Sequence, residues 1–272
     1  ESQPAHARKG DGERRLHPMS YLDIHAHFAE EGYDFPETWE EIRAAGVETV
    51  VLAGDTLAHS LWHRDFAAAH AGAYFTAGVH PSEAADFSDD TLSALSALAE
   101  DEKCVAVGEI GLDYHYPEPP KEVQREAFVK QILLAERAGL PLVVHSRDCA
   151  ADMLALLTEM HAHLGRGFLM HCYSHGAQML PAFAALGAYF SFGGVACFRN
   201  AKNVWESVRA CPAERILSET DSPYLSPFRG EKNTPANIPV IVRQLAQLRG
   251  EREEELKEII MENAKRIFAK MR

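Results

Sequence analysis

Eight short apolar runs alternate with longer amphipathic stretches, and this alternation constrains the fold more than any other feature of the chain. The runs are YLDIHAH (21–27), TVVLAG (49–54), AYFTAGVH (73–80), CVAVGEIGLD (104–113), PLVVHS (141–146), GFLMHCYS (167–174), AYFSFGG (188–194) and RILSETD (215–221). Their enrichment in Val, Ile, Phe and Tyr reads as strand. Between them lie segments of helical spacing. In KEVQREAFVKQILLAERAG (121–139), Val123, Phe128, Ile132, Leu133 and Leu134 fall on or near one stripe, and Gly139 supplies a stop. Strands buried on both faces read as continuous apolar runs, and parallel pairing requires a crossover helix after each strand. Eight such units favour a closed TIM-type (β/α)8 barrel, a single α/β domain, over the competing open doubly wound sheet. The 272 residues suit one such barrel. No internal repeat stands out and no linker divides residues 20 to 272, so the barrel is expected to span 19–272. The tail EREEELKEIIMENAKRIFAKMR reads as a charged amphipathic helix packed on the outside.

Residues 1–18, ESQPAHARKGDGERRLHP, lack a hydrophobic period and are rich in charge, Gly and Pro. They read as a leader or an added segment, with Met19 the expected native start. No run approaches the ~20 apolar residues of a membrane-spanning helix, so no membrane partner is expected. Five cysteines, Cys104, Cys149, Cys172, Cys197 and Cys211, are odd in number and lack CxxC spacing. A cytoplasmic location fits that usage. With 27 basic and 40 acidic side chains the net charge is −13, which opposes a broad electrostatic grip on nucleic acid. A polyanionic substrate would have to be held locally, and bound divalent cations reverse the field of a cleft whatever the rest of the surface carries.

Chemistry-bearing residues recur where the apolar runs end. His25 and His27, two apart in a strand, point to one face and can share a metal. Glu109 in VGEIGLD, His145 in LVVHSRD, His171 in FLMHCYS and Asp221 in SETDSPY end other runs. Parallel barrels build their active sites at that end. An imidazole or carboxylate buried after Val-Val or Leu-Met is costly unless paired or coordinated. Four histidines and two carboxylates form an N/O donor set suited to Zn, Mn, Fe or Co, and less selectively to Mg. Six ligands exceed the needs of one open catalytic ion, whereas two divalent ions bridged by a carboxylate use all six. Glu109 is the natural bridge.

The motifs DIHAH, GVHP (78–81), GEIGLDY (108–114), HSRDC (145–149), HCYS (171–174) and ETDSPYL (219–225), followed by RGEKNTPANIP, resemble in order and spacing those of the TatD-type metal-dependent hydrolases of the amidohydrolase superfamily. The resemblance covers residues 21 to 270. It implies a TIM-like barrel and a divalent-metal centre with deoxyribonuclease activity, commonly a 3′ to 5′ exonuclease on single-stranded DNA or RNA. By the same likeness His25, His27, Glu109 and Asp221 would hold one ion, and Glu109, His145 and His171 the other. The chain departs from the family in carrying Phe28 and Ala29 where Leu-Asp is usual, and His175 where Gly is usual after HCYS.

Phosphodiester cleavage requires an activated water, neutralised phosphoryl oxygens and help for the leaving oxygen, which two divalent ions can provide. Asp221 is the expected base for the water's proton and also a ligand. Arg147, Arg229, His80 and His175 are candidate substrate contacts, each set against a plainer role as a solvated or hydrogen-bonded side chain. Asp113 and Tyr114 are expected to orient the Glu109 loop, and Asn233 and Asn237 to fix a loop. His59, His63, His70, His161 and His163 fall away from strand ends and read as structural. Cys172 reads as a packing residue. Trp39, Trp62 and Trp205 read as outer-shell packing, while Tyr224 or Phe228 could stack on a base.

The expected substrate is therefore the end of a single-stranded DNA or other nucleic acid. A small ester, amide or lactone in the same barrel is the alternative, because a fold does not choose its chemistry. Many small-molecule relatives bridge their metals with a carboxylated lysine, and Glu109 at that position favours the nuclease. A non-catalytic binding protein is disfavoured, since a closed structural site needs only about four ligands.

Overall fold

The computed structural model describes residues 20–29 and 35–271. The leader assigned to 1–18 and the start at Met19 lie outside the described residues. Eight strands form one parallel sheet in sequence order: β1 (Tyr21–Ala26), β2 (Val47–Leu52), β3 (Ala73–Ala77), β4 (Cys104–Asp113), β5 (Leu142–Arg147), β6 (Phe168–Met170), β7 (Ala188–Phe192) and β8 (Ile216–Ser218). Helices α1 (Phe35–Ala44), α2 (Leu57–Ala69), α3 (Asp89–Ala99), α4 (Lys121–Ala138), α5 (Ala150–Glu159), α6 (Leu180–Ala185), α7 (Lys202–Ala210), α8 (Ile238–Arg249) and α9 (Glu253–Ile267) follow them. The architecture is the expected single-domain barrel rather than an open sheet.

Residues 104 to 112 of β4 are buried without interruption, as a strand with side chains in the barrel on one face and helices on the other must be. Thr56 caps α2 by accepting the His59 N–H, and Ser88 caps α3 by accepting that of Thr91. Gly139 ends α4 in the left-handed conformation, φ 66°. In α9, Glu253, Glu254 and Glu255 occupy the first turn, and Lys265 and Arg266 the last. Both charge sets complement the helix dipole. The helix packs on α8 and the outer side of β8 and β1, and Glu253 accepts the Tyr21 hydroxyl. Among the described residues no helix is long and apolar enough to cross a membrane.

The seam between β8 and β1 closes the barrel and assembles the site. The Ser218 hydroxyl donates to Leu22 O at 3.2 Å, while Asp221 N–H donates to His25 O at 2.9 Å and His27 N–H to Ser222 O at 2.7 Å. Regular pairing of β8 stops at Ser218, short of the expected Asp221, because side chains take over from the ladder. Thr220 donates its N–H to Asp23 at 3.0 Å and its hydroxyl to the same carboxylate at 2.5 Å. The sixth strand likewise ends at Met170 rather than near 174, where Cys172 adopts φ 45° and turns the chain away.

Gly111 lies opposite His145 in the β4–β5 ladder. Its φ is 149°, and a Cβ there would stand 2.0 Å from His145 O. Only glycine tolerates that backbone and that approach. Gly111→Ala is expected to destabilise the protein by about 2–3 kcal/mol, through backbone strain and displacement of β5. A lowered urea midpoint checks this, and an unchanged midpoint would contradict it.

Candidate metal centre

β1 delivers His25 from its last turn of pleat, and His27 follows just past its end. Both rings aim Nε2 at the same carboxylate oxygen, Glu109 Oε2, at 3.2 and 3.4 Å. The second oxygen, Glu109 Oε1, faces a different pair, His171 Nε2 at 2.7 Å and His145 Nδ1 at 2.8 Å. Asp221 Oδ1 approaches the first pair, 3.4 Å from His27 Nε2 and 3.6 Å from His25 Nε2. Asp221 holds φ 55° at the barrel mouth, a left-handed conformation that a non-glycine residue adopts at a cost and that concentrates at functional sites. Of the six side chains singled out from the sequence, four histidines thus converge on the two oxygens of the buried Glu109, and Asp221 joins the pair at Oε2.

Electrostatics follow from this crowding. Burial alone would raise Glu109, yet His171, His25, His80 and His145 hold its carboxyl well below the usual range. Burial acts likewise on Asp221, and the hydrogen bond from His27 with the charges of His171 and His25 lowers it. Burial opposes protonation of His27, but Asp221 and Glu109 raise it well above the ordinary imidazole value. His171 is raised against burial by Glu109 and Glu219, and His145 by Asp113 and Glu109. His25 is lowered, by burial first and then by the charge of His171. Among the described residues, the ion-pair partners of Glu109 and Asp221 are histidines alone.

Such a set fits divalent cations. It offers only imidazole nitrogens and carboxylate oxygens, and among the described residues no lysine or arginine pairs with Glu109 or Asp221. Among the described residues, three groups have donor atoms within 4.8 Å of one another: His25, His27 and Glu109; His25, His171 and Asp221; and His80, Glu109 and His145. Protons and cations compete for the same lone pairs.

Register explains why β4 and β5 work together. Glu109 and Asp113 lie two residues on either side of Gly111, the partner of His145, and on the same strand face. They bracket the ring, with Glu109 at Nδ1 and Asp113 Oδ2 at Nε2, 2.9 Å away. Asp113 was expected to orient the Glu109 loop; its Oδ1 accepts the His115 N–H of that loop at 2.9 Å, and its Oδ2 also holds His145. A carboxylate on the far nitrogen fixes the ring's tautomer and raises its basicity. Asp113→Asn is expected to weaken metal affinity by about 10–100-fold. Competition with a chelating dye measures it, and parental affinity would contradict the orienting role.

Of the other residues expected near substrate, His80 and Arg147 line the cleft over the cluster, which has a volume of about 440 Å³. His80 Nε2 lies 3.6 Å from Glu109 Oε1, and its Nδ1 accepts the Ser82 N–H at 3.1 Å. Burial lowers its pKa to about 3. Arg147 stands over the Tyr116 ring, 5.8 Å from its centroid. His175 does not line the cleft; its Nε2 pairs with the Ser146 hydroxyl at 2.7 Å. Arg229 lines a separate depression.

Several site residues escaped the sequence reading. Glu219, fully buried, accepts Cys172 N–H at 2.6 Å and the Ser191 hydroxyl at 2.6 Å, and lies 3.7 Å from His171 Nδ1. Its position in the run RILSETD, two before Asp221, was the available signal. His63, read as structural, is fully buried with Nε2 accepting both Phe28 N–H and Ala29 N–H at 3.2 Å. It fixes the exit of β1 beside the two histidines. Phe28 is buried edge-on against Phe66 and Trp39, which accounts for an aromatic at this family-divergent position. Asn233 fixes its loop as expected, donating to Thr220 O at 2.8 Å and Tyr224 O at 2.7 Å, and Asn237 donates to Asn233 Oδ1 at 2.9 Å.

Comparison with known proteins shows the family. The model of the TatD related DNases matches residues 22–269. The chain is similar to the uncharacterized metal-dependent hydrolase YabD of Bacillus subtilis, at 37% identity over 251 residues, 91% of this chain and 98% of that one. It is also similar to the 3′-5′ ssDNA/RNA exonuclease TatD of Cronobacter sakazakii, at 35% identity over 245 residues, 88% of this chain and 93% of that one. Among solved structures, the TatD homolog YjjV of Escherichia coli K12 superposes with a TM-score of 0.86 at 27% identity, covering 92% of this chain and 98% of that one. The chain belongs to the TatD family and is a metal-dependent hydrolase.

Proposed function

We propose that this hydrolase removes nucleotides from the 3′ end of single-stranded DNA or RNA by cleaving phosphodiester bonds at a centre of two divalent ions. The observation that carries the reading is the division of Glu109, whose Oε2 faces His25 and His27 while its Oε1 faces His145 and His171. On that division His25, His27, Glu109 and Asp221 would hold one ion, and Glu109, His145 and His171 the other. The N/O donor set suits Mn, Zn, Fe or Co, with Mg accepted less selectively. When bound, the ions supply Lewis-acid neutralisation of the phosphoryl oxygens and acidify a water molecule.

The chain's own side chains carry the remaining work. Asp221, held ionised at the barrel mouth, accepts the proton of the attacking water. Arg147, the one guanidinium lining the cleft among the described residues, pairs with a non-bridging phosphate oxygen. Asp113 keeps the His145 ring in place while charge shifts around it. Free cysteines at all five positions support a reducing, cytoplasmic setting.

A small ester, amide or lactone is the competing substrate class. Relatives named as ssDNA/RNA exonucleases, at 32–36% identity, favour the nucleic acid. Incubating the protein with 5′-labelled single-stranded DNA in Mg²⁺ or Mn²⁺ should give a ladder shortening from the 3′ end and free mononucleotides, both abolished by EDTA. Intact DNA alongside metal-dependent hydrolysis of a small-ester panel would overturn the proposal.

A further inference from the structure

We propose that a second depression on the barrel rim is a binding subsite for the nucleotides upstream of the one being removed. The inference rests on the nuclease reading above and adds the surface that would hold the rest of the strand. The depression has a volume of about 880 Å³ and is lined by Phe198, Arg199, Asn200, Ser226, Phe228 and Arg229, among others. It lies between the segment following β7 and the loop following β8. Both segments leave the C-terminal ends of strands, the rim that also carries the metal cluster. Its walls are held together closely, since a Cβ on Gly194 would stand 1.9 Å from Leu225 O.

The two recesses are joined by one stretch of backbone. Tyr224 lines the metal cleft and Phe228 lines the depression, and four residues of chain separate their Cα atoms by at most about 14 Å. That stretch exposes apolar surface at Tyr224, Leu225 and Phe228. A strand whose terminal phosphodiester sits at the cluster can follow it within a few nucleotides.

Charge gives the direction. Asp55, Glu83 and Glu118 on the cleft wall repel a phosphate that lies beyond the cluster. In the depression, Arg199 and Arg229 have no ion-pair partner among the described residues, although the chain carries a net charge of −13 and one carboxylate, Glu231, shares the rim. Unpaired guanidinium groups match phosphate oxygens in geometry as well as charge. The exposed phenyl ring of Phe228 in the same lining offers a face on which any base can stack. Together they give sequence-independent recognition of single-stranded nucleic acid.

The test uses the full-length protein and two variants, Arg199→Ala/Arg229→Ala and Phe228→Ala. Binding of fluorescein-labelled dT10 is followed by anisotropy in EDTA across a salt series, and Mn²⁺-dependent hydrolysis of dT10 is compared with that of the dinucleotide dTpdT. In the double variant, dT10 binding should weaken at least about tenfold, and its log–log salt slope should fall by about 1.4, two phosphate contacts' worth. The ratio of kcat/KM for dT10 to that for dTpdT should fall at least about tenfold. Phe228→Ala should weaken binding with the salt slope preserved. If the parent hydrolyses dT10 and the double variant matches it in binding, slope and ratio, the subsite falls and the nuclease reading stands. If the parent binds dT10 through these arginines but releases no nucleotide, the nuclease reading falls and the subsite stands. A parent that neither binds nor hydrolyses dT10 overturns both.

Discussion

Glu109→Gln is expected to lower kcat/KM on single-stranded oligonucleotide by at least about 10³-fold, or roughly 4 kcal/mol of transition-state stabilisation, and to strip metal from the purified protein. The substitution keeps the shape of the side chain and removes its charge. Glu109 is almost fully buried, and each of its oxygens serves a different pair of histidines. A neutral amide cannot bridge two cations with two anionic lone pairs, so both proposed ion positions lose their shared ligand together. The histidines lose an anion that, with Glu219 for His171, Asp113 for His145 and Asp221 for His27, raises them. Removing one partner of a buried charged group commonly costs about 3–5 kcal/mol of stability. Far-UV circular dichroism and the thermal midpoint must therefore accompany metal analysis, to separate an unfolded variant from a folded, metal-poor one. A folded variant with parental metal content and activity within tenfold of the parent would refute the bridge.

The barrel and its six central side chains were legible in the sequence for one physical reason. A strand covered on both faces must be apolar along its length, so a histidine or carboxylate at its end stands out against Val-Val or Leu-Met. Contacts across strands were less legible. Asp113 shares a strand face with Glu109, but only the pairing of Gly111 with His145 shows that the two acids bracket one imidazole. Glu219 looks like any polar strand residue until the segment after β6 brings Cys172 N–H to it. His63 belongs to α2 by every local signal, and its acceptance of two β1-exit N–H groups is set by helix packing. Loop residues were least legible, because no periodicity fixes where a loop goes. Of the two arginines offered as phosphate contacts, Arg147 lines the cluster's cleft and Arg229 a neighbouring depression.

Asp221→Asn should part the two roles proposed for that residue. It is expected to lower kcat by about 10²–10⁴-fold, the usual contribution of a positioned general base, while KM for oligonucleotide stays within about threefold of the parent, because an interaction made only in the transition state leaves ground-state binding untouched. The amide keeps an oxygen where Asp221 Oδ1 now lies, 3.4 Å from His27 Nε2 and 3.6 Å from His25 Nε2. It keeps as well the backbone that sets it there, since asparagine accepts the left-handed conformation at φ 55° as readily as aspartate does. What it loses is the ability to take a proton. In the parent that ability rests on His27, His171 and His25, which hold the carboxylate ionised against the effect of burial. Metal content therefore decides the interpretation. A folded Asp221→Asn protein with parental metal and a collapsed kcat identifies a base. A kcat that falls only in proportion to lost metal identifies a ligand without proton-transfer duty. Near-parental turnover with full metal content removes Asp221 from the chemistry altogether, and leaves Glu109 and the four histidines as the groups from which any base must be sought.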